Sequence, residues 1–176
     1  GFGACAPTPS RRASDRREST HPMRTLVLAL CLALLTLASP VSAADPLVGT
    51  WRLQRQEVNG QESRVDPLVL QISEAGDALT FAFSVPLPDV YMVTATYTAR
   101  LDGSSADLMN GSGQKMGSVQ ITRGGAGRYP LTMTGPNRPD SQGALTLSAD
   151  GKTLVSESVA SQGGRTVSAR QTFARD

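Results

Sequence analysis

The sequence predicts an all-β protein, an up-and-down antiparallel β-barrel of about eight or nine strands. Three observations carry this. Short runs of alternating apolar and polar residues recur at regular spacing, turn-forming pairs such as Asn59-Gly60, Asp102-Gly103 and Asp150-Gly151 separate them, and no segment of the chain body shows capped helical periodicity. A meander of such strands leaves two unpaired edges unless it closes on itself, and closure into a barrel removes them.

The chain body is expected to begin at Ala44. Met23-Arg24 precedes an apolar run from Thr25 to Ala38, then Ser39-Pro40 and Val41-Ser42-Ala43, which has the order of a signal peptide with cleavage after Ala43. The 14 residues of that run reach roughly 21 Å as a helix against a hydrocarbon core of roughly 30 Å, too short for a membrane span. Residues 1–22 carry Arg11-Arg12 and Arg16-Arg17 among Ser, Pro and Thr, and are expected to be a disordered upstream segment without function. The body from Ala44 to Asp176, 133 residues, suits a single domain. Its expected destination is the periplasm or the exterior.

Asp45 to Val48 forms a lead-in able to cover one end of the barrel. Gly49 to about Glu57 is the first strand, with Trp51 and Leu53 on one face; the single Trp of the chain beside Gly49 either plugs the barrel end or is an ordinary core residue. Leu68, Leu70 and Ile72, then Leu79, Phe81, Phe83 and Val85, alternate across a turn at Ala75 to Asp77. Pro86 to Val90 is a stiff apolar loop, since two prolines cannot serve a central strand. Tyr91 to Leu101 alternates again, and Ser104 to Gly117 reads as a small, polar stretch. Val119 and Ile121, Tyr129 to Met133, Leu145 and Leu147, and Thr153 to Val159 follow, with a long loop from Gly135 to Ser141. Thr166 to Phe173 closes the chain, placing Val167, Ala169, Gln171 and Phe173 on one face.

Composition excludes more chemistry than it suggests. Beyond residue 43, Lys plus Arg falls from 17 to 12 and Asp plus Glu from 15 to 13, so the body is near −1 where the whole chain is +2. The charges are scattered singly, and no basic run points to nucleic acid or an anionic membrane surface. Cys5, Cys31 and His21 all precede Ala44, so the body contains neither Cys nor His. Catalysis by Ser-His-Asp or Cys-His, His or Cys zinc sites, haem and iron–sulfur ligation all need those residue types. Carboxylate or tyrosine chemistry remains, but the acidic residues fall mostly in turns, and no enzyme, cofactor or metal site is expected. Asp102, Asp107 and Asn110 lack the spacing and the closing Glu of a calcium loop. Gly124 to Gly127 lacks the Lys of a phosphate loop.

Several stretches resemble a known group. Leu47-Val48-Gly49-Thr50-Trp51, Thr96-Tyr97-Thr98-Ala99 with the following Asp102-Gly103, and Ser148 to Leu154 are similar to the lipocalin-like members of the calycins, in particular to uncharacterised exported lipocalin-like proteins of bacteria. The resemblance covers most of Pro46 to Arg175. It implies a barrel able to hold a small apolar ligand, and an Arg near the last strand packed over the first-strand Trp. Arg170 is the nearest match for that structural role, with Arg175 second. The chain lacks the Thr-Asp-Tyr motif, the disulfide and the C-terminal helix of typical lipocalins.

Phe81, Phe83, Tyr91 and Tyr97 are the candidate ligand-binding residues, with Ala95 and Ala99 leaving space beside Tyr97. The alternative is a filled barrel that acts in the cell envelope as a protein interaction module, through the Pro86 to Val90 loop or the Gly135 to Ser141 loop.

Overall fold

The structure, a computed structural model, describes residues 44–136 and 139–176. The segment 1–22 and the leader 23–43 of the sequence reading lie outside the described residues. Eleven strands follow one another: β1 (Gly49–Val58), β2 (Gln61–Ser63), β3 (Val69–Ala75), β4 (Ala78–Pro86), β5 (Tyr91–Ala99), β6 (Asp102–Asn110), β7 (Lys115–Thr122), β8 (Arg128–Thr134), β9 (Ser141–Leu147), β10 (Thr153–Gln162) and β11 (Arg165–Arg175). From β3 onward each strand pairs antiparallel with the next, the start of β1 pairs with β3, and β11 returns to β1. This closes a barrel of ten strands, with β2 as an eleventh, short strand beside the end of β1.

The all-β meander agrees with the sequence, and the strand count exceeds the expected eight or nine. The difference lies mainly in the polar stretch from Ser104 to Gly117, which forms most of β6 and the start of β7. Small and polar residues there hide a regular alternation: Ala106 and Leu108 turn inward between exposed Ser105 and Asp107. Backbone pairing with β7 holds this strand where side chains give little signal. Two tight turns show why their residues are needed. Asn59 and Gly60 both have positive φ, 51° and 76°, as do Gly163 and Gly164, 58° and 75°, the geometry of a two-residue hairpin turn.

Alternation sends one face of every strand into a common core, and one end of that core is sealed. Leu47, Trp51, Phe81, Leu154 and Phe173 are fully buried there. The lead-in folds beneath the barrel as expected: Val48 N donates to Asp45 O at 2.9 Å, Leu47 N to Asp45 Oδ1 at 2.9 Å, and the Asp45 carboxylate pairs with Arg123. The indole Nε1 of Trp51 donates to Leu47 O at 2.9 Å, so the one polar atom of the plug is satisfied. Trp51→Ala should lower the free energy of unfolding by ~3–5 kcal/mol in a denaturant titration, the cost of a cavity where a large aromatic was fully buried. An unchanged midpoint would show that Trp51 does not organise this end.

Candidate functional site

The hairpin turns alternate between the two ends of the barrel, and the end opposite Trp51 is bounded by the tips after β1, β4, β6, β8 and β10. Inward-facing residues near that end keep accessible surface: Leu53, Gln56, Val58, Phe83, Ala95, Met133, Ser156, Ala169 and Gln171 are all half-buried. The inward face thus stays accessible above the packed aromatics, at the end away from Trp51.

The four predicted ligand-binding residues divide. Phe81 and Tyr97 stack at 4.6 Å between ring centroids and 16° between planes, and both are buried, so they form the floor. Phe83 stands one layer higher, 6.4 Å from the Tyr97 ring, with part of its surface free. Tyr91 is a correction: it is exposed on the outer wall, where its hydroxyl accepts a 3.3 Å bond from Arg52. A bulge causes this. Phe83 pairs with Ala95 but Ser84 with Val93, leaving Thr94 as an extra residue whose hydroxyl donates to Phe83 O at 3.1 Å. One inserted residue reverses the faces of Val93 and Tyr91 relative to Ala95 and Tyr97.

A second bulge shapes the wall formed by β1 and β11. Leu53 pairs with Phe173 and Arg55 with Thr172, so Gln54 is extra. Simple alternation from Trp51 would aim Arg55 inward; the bulge turns it out, to Glu57 at 3.1 Å and Glu62 at 3.4 Å, and brings Gln56 in. Gln56 pairs with Gln171 across the ladder. The Gln171 Nε2 donates to Gln56 Oε1 at 3.1 Å and the Gln56 Nε2 donates to Ser63 Oγ at 3.2 Å, a chain of neutral polar groups on the lumen wall. Sequence reasoning placed Gln171 on the face of Phe173 but did not select it, and Gln56 was hidden by the bulge.

The structural arginine is also corrected. Arg170, on the outer face of β11, pairs with Glu157 at 2.9 Å, in register between Glu157 and Glu57. It borders an open depression of about 400 Å³ on the outer wall, together with Arg128, Gln142 and Ser168. Arg175, the second match, covers Trp51: its Cζ is 4.3 Å from the ring centroid. Its Nε donates to Gly151 O at 2.8 Å, Nη1 to Val48 O at 2.8 Å and Nη2 to Pro46 O at 2.5 Å. The reason is register: Arg175 pairs with Trp51 at the sealed end, five residues beyond Arg170. At Gly49, φ is +153° and a Cβ would lie 3.0 Å from Arg175 Nη1, so glycine there leaves room for the guanidinium.

The acidic residues of β6 have local partners. Asp102 accepts from Ser104 N at 2.8 Å, which holds its carboxyl below the usual range together with the Ser104 side chain. Asp107 pairs with Lys115 at 2.6 Å, and Asn110 Oδ1 accepts from Ser112 N and Gln114 N at the β6–β7 turn. Burial raises the Tyr97 phenol well above its ordinary value, and Tyr129 is raised by burial and by nearby Asp45.

These features define a closed, antiparallel ten-strand barrel. Similar solved structures are zebrafish ileal bile acid-binding protein complexed with cholic acid and Caenorhabditis elegans lipid binding protein 8 in its apo form. The first is 21% identical, with a TM-score of 0.54, covering 75% of this chain and 100% of that one. The second is 12% identical, with a TM-score of 0.53, covering 77% of this chain and 99% of that one. No family model matches this chain, and no curated protein matches it.

Two outcomes test the site geometry. Arg175→Leu should lower stability by ~2–4 kcal/mol, since it strips three carbonyls and the indole face of their partner, whereas Arg170→Leu should change it by under ~1 kcal/mol, as for an exposed ion pair. Equal losses in a denaturant titration would contradict the assignment. Because the neutral Tyr97 phenol is favoured in the fold, its contribution to stability should be flat below about pH 10 and fall above it, by up to ~1.4 kcal/mol per pH unit. Tyr97→Phe should reduce that slope in unfolding measured between pH 9 and 11.

Proposed function

We propose that this chain is an exported carrier that holds a small apolar ligand inside the barrel. The observation that carries this is the division of the inward face, sealed around Trp51 and accessible from Phe83, Ala95 and Gln171 to the mouth. A barrel packed for stability alone would fill both halves with side chains. Small residues, Ala95 and Ala169 among them, stand where a filled core would use large ones. The two similar structures are of a bile acid-binding and a lipid binding protein, which supports the assignment at the level of fold analogy. The apolar leader and the lack of Cys and His beyond residue 43 suit export and binding without chemistry.

One observation favours a second role. Leu87, Val90, Tyr91, Met92 and Val93 are all exposed at the β4–β5 tip, an apolar patch on one hairpin beside the mouth. Such a patch suits contact with a protein partner of the envelope.

Native mass spectrometry of the protein recovered from an expressing bacterium, with organic extraction of the same sample, separates the two. A chain beginning at Ala44 with an apolar compound lost on denaturation is the expected result; an uncleaved or ligand-free chain that also fails to bind an uncharged solvatochromic dye would reject the carrier. Ala95→Trp should fill the lumen beside Phe83, weakening dye binding about tenfold or more while far-ultraviolet circular dichroism stays unchanged. Undiminished binding in that variant would place the dye outside the barrel.

A further inference from the structure

We infer that the lumen selects a neutral amphiphile, an apolar body carrying a hydroxyl or amide head group, over a carboxylate of the same length. This rests on the carrier function proposed above and specifies its ligand class.

The chain of groups from Gln171 through Gln56 to Ser63 supplies the polar side of the lumen. Within it, Gln56 Oε1 and Ser63 Oγ each accept a bond from a neighbour, whereas Gln171 Oε1 accepts none among the described residues, and its side chain is only half-buried. An amide oxygen facing a lumen takes a hydroxyl or N–H donor from a guest, and Ser156, paired with Gln171 on the adjacent strand, adds a hydroxyl able to donate or accept. An ionised carboxylate offers no donor to that oxygen. It also requires a cation or several N–H donors to offset loss of water in an apolar enclosure.

Among the described residues, four cations of the strands are held away from Gln171. Arg55, Lys115 and Arg170 pair with carboxylates on the outer wall, and Arg175 is held by three carbonyls beneath Trp51. Arg165 stands exposed at the β10–β11 tip, at the mouth rather than on the wall beside Gln171. The bulge at Gln54 is central to this arrangement, because it exchanges Arg55 for Gln56 on the inward face.

The test compares 1-dodecanol with dodecanoate at pH 8, each displacing Nile red, an uncharged reporter, from the purified protein. Dodecanol should compete roughly tenfold or more better than dodecanoate. Gln171→Leu should weaken dodecanol by about tenfold while leaving Nile red affinity within about twofold, and Gln171→Arg should reverse the preference toward dodecanoate. If dodecanoate competes as well as dodecanol in the unsubstituted protein, the head-group inference is overturned while the carrier function stands. If Nile red itself does not bind, both fall together. A Gln171→Leu protein that binds both dodecanol and Nile red like the parent would remove Gln171 from the site and overturn its assigned role.

Discussion

The contact on which the barrel depends is the one between its two chain ends, Arg175 of the last strand laid over Trp51 of the first. A meander closes only if its terminal strands find each other, and without Cys beyond residue 43 there is no disulfide to tie them. Here a planar guanidinium covers the indole and donates to carbonyls of the lead-in and of the β9–β10 turn. Six further residue pairs of β1 with β11 then continue the ladder upward from that anchor. Sealing one end fixes the polarity of the molecule, since access to the interior is left to the other.

On β1 and β5, two inserted residues change which side chains face the interior. The period of a strand is two, so a single extra residue exchanges its faces from that point on. At Gln54 the exchange removes a cation from the lumen and supplies an amide; at Thr94 it moves a tyrosine from the lumen to the outer wall. Both bulges lie midway along their strands, between the packed floor and the mouth. The lower half therefore keeps the register that packs Trp51, Phe81, Tyr97 and Phe173, while the upper half departs from it and presents a different chemistry.

The same displacement accounts for the exposed hairpin. Beyond Thr94 the strand carries Tyr91, Met92 and Val93 up to the rim, and the Pro86 to Val90 connection closes with the Leu87 N–H donating to Val90 O at 2.8 Å. Pro86, read from the sequence as loop, is the last residue of β4 opposite Tyr91, and the connection proper runs from Leu87 to Val90 with Pro88 limiting its backbone. The apolar tip thus lies at the end of the barrel opposite the one that Trp51 and Arg175 close.

The sequence by itself determined the all-β class, the tight turns, the lead-in and the packing of Trp51, because alternation, Asn-Gly pairs and a lone large aromatic are local signals. It marked Phe81, Phe83 and Tyr97 for the same reason, and Gln171 was visible on the face of Phe173. The tertiary structure alone decided which arginine reaches the tryptophan, that Tyr91 faces outward, that Gln56 faces inward and that the polar stretch of β6 is a strand. Each of these depends on register between strands far apart in the chain. A bulge leaves no mark in the residue pattern, since it is the partner strand that defines which residue is extra.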